Sequence, residues 1–127
     1  MDPQTEIQRV SQLIQNQDIV QSLRGIARQY PGQVVFSTSF SREDQVISHI
    51  IFSEHIPIQV FTLDTGRMFP ETYSTWSRTL EKYNQPVTAY YPDAFSLQKF
   101  VAEKGPNSFY ESVENRKQCC FIRKVEP

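Results

Sequence analysis

The chain has 127 residues with 13 basic and 14 acidic side chains, a net charge of −1 and 39% hydrophobic content, which suits one globular domain and gives no electrostatic reason to bind nucleic acid or an anionic membrane. No apolar run approaches the ~20 residues needed to cross a bilayer. No N-terminal stretch joins basic residues to an apolar segment as a secretory signal does, so the expected location is the cytoplasm.

Residues 4–30 read as helical. Ile7, Val10, Leu13 and Ile14 share one face, and Ile19, Val20, Leu23, Ile26 and Ala27 form a second apolar stretch. A break is expected near Asn16 to Asp18, and Pro31-Gly32 stops the helix. Val34-Val35-Phe36 is apolar without alternation, the pattern of a strand buried on both faces of a parallel sheet. After the polar loop Ser37–Ser41, a helix is predicted from Arg42 to before Pro57, with Val46, Ile47, Ile50 and Ile51 on its buried stripe. Ile58 to Leu63 is the second strand and Asp64–Arg67 the loop after it. Pro70 opens a helix running to about Tyr83, with Tyr73, Trp76 and Leu80 inward. Val87 to Tyr91 is a third strand, and Ala94 to Lys104 a helix closed by Gly105-Pro106.

Alternating strands and helices predict an α/β fold with a parallel sheet and right-handed crossovers. Ligands bind such sheets beyond the C-terminal ends of the strands. The loops 37–43 and 64–67 lie there and should face one crevice.

In the first loop, Ser37, Thr38, Ser39 and Ser41 place hydroxyls at a helix start, where backbone N–H groups and the helix dipole favour an anion. The plainer alternative is simple helix capping. In the second, Asp64 offers an acceptor to a ribose or ring amine, Gly66 permits close backbone approach, and Arg67 suits phosphate or sulfate. The alternative there is a turn with a solvated arginine. Cys119 and Cys120 form a third motif, with Arg116, Lys117, Arg123 and Lys124 around them. Adjacent cysteines rarely close a disulfide, which fits a reducing compartment. The cations favour thiolates, which bind metal, and offset the charge of an iron–sulfur cluster. The alternative is two small apolar residues beside a basic patch. Two thiolates do not complete a cluster or a tetrahedral zinc site. His49, near the buried stripe of its helix, and His55 at its end are expected to be structural.

Taken together, Ser-Thr-Ser-Phe-Ser-Arg-Glu-Asp-Gln-Val, Phe-Thr-Leu-Asp-Thr-Gly-Arg-Met-Phe-Pro-Glu-Thr-Tyr and Arg-Lys-Gln-Cys-Cys-Phe-Ile-Arg-Lys-Val-Glu-Pro resemble the sulfonucleotide reductases, in order and spacing, from about Val34 to the last residue. The resemblance implies an adenine nucleotide α-hydrolase-like parallel sheet flanked by helices, with residues 33–127 as its nucleotide-binding core and 1–32 as a helical N-terminal segment. It implies reduction of adenylyl sulfate, or of its 3′-phosphorylated form, to sulfite and a nucleotide. Ser37, Thr38, Ser39, Phe40, Ser41, Glu43 and Asp44 would surround the phosphosulfate, and Leu63, Asp64, Thr65, Gly66 and Arg67 would line the nucleotide pocket. Lys124 would approach both sulfate and cluster, and Cys119 with Cys120 would supply two of four ligands to a 4Fe–4S cluster. The cysteine pair marks the branch that prefers adenylyl sulfate.

Family members use a nucleophilic C-terminal cysteine and thioredoxin, and no residue of 1–127 plainly serves as that nucleophile. The chain therefore reads as a fragment or a truncated gene product with weak or no activity alone. A phosphorylated-substrate reductase and an inactive nucleotide-binding remnant are the other readings, and an exposed sheet edge would favour self-association. Where the family has glycine after the phenylalanine, this chain has Ser41, which is expected to tune the phosphate geometry.

Overall fold

The computed structural model describes residues 2–127. The helical N-terminus divides at the expected place into α1 (Pro3–Ile14) and α2 (Ile19–Gln29). Asp2 caps α1 by accepting from the Gln4 N–H, and Asp18 caps α2 by accepting from the Gln21 N–H at 2.7 Å. Asn16, with φ +61°, turns the chain between them. Tyr30 donates to Glu6, fastening the end of α2 to α1, and that bond holds the tyrosine hydroxyl above its usual pKa. The Arg24–Glu54 ion pair at 2.6 Å ties α2 to the end of the next helix.

The core is a parallel sheet of β1 (Val35–Ser37), β2 (Gln59–Leu63) and β3 (Thr88–Tyr90), in the order β1-β2-β3. Phe36 pairs with Val60, and Thr62 with Ala89. The crossovers are α3 (Arg42–Ser53) and α4 (Pro70–Tyr83). Two crossovers of the same hand, stepping the same way along a sheet, put both helices on one face. Accordingly, Ala27 of α2 and Ile50, Ile51 and Phe52 of α3 bury against Ile58 and Val60, with Phe36, Tyr83 and Val87 packed at the margin.

One-sided packing corrects several expectations. β1 is an edge strand with one covered face, so Val35 is 57% exposed rather than buried on both sides. Phe61 and Tyr90 meet edge-on across the open face, at 5.7 Å between ring centres. On α3, Val46 is exposed and Ser48 takes a buried place. His49 is exposed too, hydrogen-bonded to the Tyr83 hydroxyl at 2.6 Å. On α4 the buried residue is Thr79, while Tyr73 and Leu80 are exposed and Trp76 is half-buried.

α3 ends with His55 at φ +52°, and the Ile56 N–H closes back on the Ile51 carbonyl at 3.0 Å. α5 (Ala94–Lys104) is capped by Asp93, which accepts from the backbone and hydroxyl of Ser96; those bonds pull its carboxyl below the usual pKa. Gly105, with φ +88°, closes α5.

Beyond it the structure adds elements that periodicity did not predict. A 3₁₀ turn (Ser108–Tyr110) leads into α6 (Val113–Cys120), which is followed by a π-helical turn (Phe121–Val125). These pack as a second cluster, with Phe100, Cys119 and Ile122 buried against Leu97 and Phe109.

Candidate functional site

A cavity of about 510 Å³ opens beyond the C-terminal ends of β1 and β2. Ser37, Thr38, Ser39 and Asp44 line it from one side, and Leu63, Thr65 and Arg67 from the other. Thr62, Met68, Phe69 and Thr72 complete the walls, and Lys124 reaches in from the π-helical turn. Three motifs separated in sequence thus contribute to one space. Phe40, Ser41, Glu43, Asp64, Gly66, Cys119 and Cys120 are not in that lining.

The first loop is held by its own groups. The Thr38 N–H donates to the Phe61 carbonyl and the Thr62 hydroxyl donates to the Thr38 carbonyl, each at 2.8 Å. The Thr38 hydroxyl in turn accepts from the Phe40 N–H at 3.0 Å. Both the N–H and hydroxyl of Ser39 donate to one oxygen of Asp44, at 2.6 and 2.8 Å. These bonds turn Phe40 to φ +61°, a left-handed conformation unusual for a bulky residue. Its ring is buried and stacks on Trp76 at 5.6 Å.

Ser41 has φ −68°, extended backbone open to any residue, and its hydroxyl accepts from the Asp44 N–H. The left-handed step falls one residue earlier than a glycine after Phe40 would place it. The serine therefore costs no conformational strain and acts as the cap of α3. Ser41→Ala is expected to lower stability by about 1 kcal/mol, and Ser41→Gly by a few tenths, measured by denaturant unfolding.

The second loop is equally self-bound. Asp64 is 6% exposed, and one of its oxygens accepts from the Gly66 N–H and from the Tyr73 hydroxyl, both at 2.9 Å. The carboxylate shapes the turn from below rather than facing the cavity. Its acceptor bond, then burial, hold the Tyr73 hydroxyl above its usual pKa, so Tyr73 stays a donor at neutral pH. The Thr65 hydroxyl accepts from the Arg67 N–H at 3.2 Å. Arg67 donates to the Pro106 carbonyl at 2.8 Å and to Asn107 Oδ1 at 3.0 Å, and lies over the Phe109 ring. Two of its five donors are spent on the wall, and the rest are left for a ligand.

Lys124 is exposed and belongs to neither ion pair among the described residues. It is the cavity's second cation beside Arg67. Arg123 was read from the sequence only as one of four nearby cations. The structure buries it and directs its guanidinium to the Thr65 carbonyl. Two consecutive cations with opposite exposure in an irregular turn carry no periodic signal that would separate them.

Cys119 is 8% exposed, packed with Phe100 and Ile122, and Cys120 is half-buried. Consecutive helical positions diverge by roughly 100°, so one residue of the pair is buried while its neighbour lies nearer the surface. Among the described residues, no group of three or more His, Cys, Asp or Glu gathers as a metal site. The donor chemistry present fits half of a four-thiolate cluster site.

Residues 33–127 match the phosphoadenosine phosphosulfate reductase domain family. The chain is 44% identical over 95 residues to adenosine 5′-phosphosulfate reductase of Burkholderia cepacia, covering 75% of this chain and 38% of that protein. It is 46% identical over 96 residues to the protein of that name from Sinorhizobium fredii (strain USDA 257), covering 76% of this chain and 38% of that protein. The chain thus spans well under half the length of these relatives. Its fold is similar to phosphoadenylyl-sulfate reductase from Candida auris, solved as a phosphate complex, with a TM-score of 0.77 and 23% identity over 100% of this chain and 61% of that one. That structure shares the α/β architecture, a parallel sheet flanked by helices.

Proposed function

The chain belongs to the phosphoadenosine phosphosulfate reductase domain family, and from that premise we propose that it is the substrate-binding part of an adenylyl-sulfate reductase of sulfate assimilation. The observation that carries this reading is the convergence of Ser37–Ser39, Thr65, Arg67 and Lys124 on one cavity at the sheet's C-terminal edge. Residues 33–127 are its nucleotide-binding core and 1–32 a helical N-terminal segment, of which α2 packs on the core. The loop 37–44, including Phe40, Ser41, Glu43 and Asp44, forms and braces the phosphosulfate side. Leu63 to Arg67 form the nucleotide side, with Asp64 and Gly66 holding its shape. Lys124 meets the sulfate.

In the proposed reaction, a thiolate from a cysteine outside residues 1–127 attacks the sulfate sulfur. An S–S bond forms as the sulfur–oxygen bond to the nucleotide phosphate breaks, and AMP leaves. Thioredoxin, the proposed electron donor, then supplies the two electrons that free sulfite and restore the thiol. Cys119 and Cys120 would hold a 4Fe–4S cluster together with two further cysteines, and the cluster would supply charge beside the sulfate. The names of the relatives support adenylyl sulfate over its 3′-phosphorylated form. A cytoplasmic location is proposed from the chemistry and the paired free thiols; no helix among the described residues is long and apolar enough to cross a membrane. A homo-oligomer is proposed from the edges of β1 and β3, which pair with no further strand among the described residues.

Calorimetric titration of the chain tests the binding reading. Adenylyl sulfate is expected to bind and AMP to compete with it. Absence of heat and of competition at millimolar nucleotide sinks it. Turnover of the full-length protein with each nucleotide separates the two substrates, and the 127-residue chain alone is expected to release no sulfite.

Cys120→Ser, in full-length protein purified without oxygen, is expected to lose iron and acid-labile sulfide. Cys119→Ser is expected to lose both and also about 1–3 kcal/mol, because it buries a hydroxyl among Phe100 and Ile122. Retained iron and sulfide in either variant removes that cysteine from the ligand set.

A further inference from the structure

Arg123 is 8% exposed, yet it belongs to neither ion pair among the described residues. A buried guanidinium without a carboxylate is costly unless its donors are well used. Its Nη1 donates to the backbone carbonyl of Thr65, while its Nε is buried with no hydrogen-bond partner among the described residues. The same Nη1 lies against Gly66, where a Cβ would sit 3.3 Å from it. Gly66 has φ +79°, so glycine at 66 both permits the turn and makes room for the arginine.

The π-helical turn explains how Arg123 gets there. A π turn is wider than an α turn and is common at functional sites. Here it sends Ile122 into the Phe100 cluster, Arg123 beneath the 64–67 loop and Lys124 into the cavity. Cys119 and Cys120 are the last two residues of the helix leading into it.

The geometry points to Arg123 as a positioning residue that fixes the Thr65–Arg67 loop through the Thr65 carbonyl, and so sets nucleotide affinity from beneath the cavity rather than by touching the ligand. Apart from Arg123, the loop's backbone is held by two local bonds, Gly66 N–H to Asp64 and Arg67 N–H to the Thr65 hydroxyl, while the Arg67 side chain reaches Pro106 and Asn107. Arg123 anchors the loop's backbone from a distance, at the Thr65 carbonyl, and it ties the cysteine-bearing helix to the nucleotide wall. Its affinity half rests on the functional reading above; its loop-fixing half does not.

Two measurements on the 127-residue chain test it, comparing wild type with Arg123→Met and Arg123→Lys. The first is hydrogen exchange at the Gly66 and Arg67 amides without ligand. The second is AMP affinity by calorimetry. Arg123→Met is expected to speed exchange at both amides about 10-fold and to weaken AMP about 10-fold, the loss of one charge-assisted hydrogen bond. Sheet amides of Val60 and Thr62 should be unaffected. Arg123→Lys keeps one donor and the charge, and is expected to recover both quantities to within about 3-fold. Should the Met variant fail to fold, the Lys variant carries the test, with about a 3-fold change expected in each quantity. Unchanged exchange at Gly66 and Arg67 overturns the proposal. A wild-type chain that binds no AMP overturns the functional reading and the affinity half with it, while exchange still decides whether Arg123 fixes the loop.

Discussion

Lys124→Ala is expected to slow sulfite formation by the full-length protein about 100-fold, or ~3 kcal/mol of transition-state stabilisation. Its melting temperature should stay within about 2 °C of wild type, because an exposed side chain without partners contributes little to folding. The reasoning is electrostatic. In the proposed reaction, negative charge grows on the departing phosphate and on the sulfonyl oxygens as the sulfur–oxygen bond breaks. Lys124 is a cavity cation with no ion-pair partner among the described residues, whereas Arg67 already serves Pro106 and Asn107. Asp44, the cavity's carboxylate, is turned toward Ser39, which donates to it twice. Lys124→Arg should recover part of the rate, since it keeps the charge on a larger, planar head. A rate for Lys124→Ala within threefold of wild type removes it from the reaction.

Phe40→Ala is expected to destabilise the chain by about 3 kcal/mol and lower its melting temperature by roughly 10 °C. The ring is buried and stacked on Trp76, joining the loop after β1 to α4. The left-handed backbone at Phe40 costs on the order of 1 kcal/mol, offset by that packing and by the Thr38–Phe40 hydrogen bond. Loss of the ring should also loosen Ser39 and Asp44, so adenylyl sulfate binding should weaken together with stability. Phe40→Tyr, which keeps the stacking surface, should stay within about 1 kcal/mol. Denaturant unfolding of the three proteins measures these differences, and equal midpoints for wild type and Phe40→Ala would show that the stack does not support the loop.

The helices through Lys104 were legible because each repeats its apolar residues at the helical period, the strands because they are short apolar runs between polar loops, and Pro70 and Gly105 mark element ends by local chemistry. The break near Asn16 was legible for the same reason. α6 escaped because its polar sequence shows little amphipathic pattern; the Ser112 hydroxyl accepting from the Asn115 N–H was the available signal. The π turn has no sequence signature at all. On α3 the expected stripe packs inward at Ile47, Ile50 and Ile51 and fails at Val46, and on α4 the buried place goes to Thr79 and not to Tyr73 or Leu80, since periodicity locates a stripe but not the neighbour that covers it.

Residue order alone determined the alternation of strand and helix, the parallel sheet, and hence that the loops at 37–43 and 64–67 would open on one edge. These follow from local periodicity and from the handedness of crossovers, which act over a few residues or on any such chain. Tertiary packing decided what each polar group does there. It turned Asp64 and the Thr38 hydroxyl inward as loop braces, exposed one face of β1, and separated buried Arg123 from cavity-facing Lys124. The fate of Arg123 depends on a donor and an acceptor that meet at a chain separation of 58, which no local pattern encodes, and the Asp64 and Thr38 braces depend on which nearby partners the packed loops present to them.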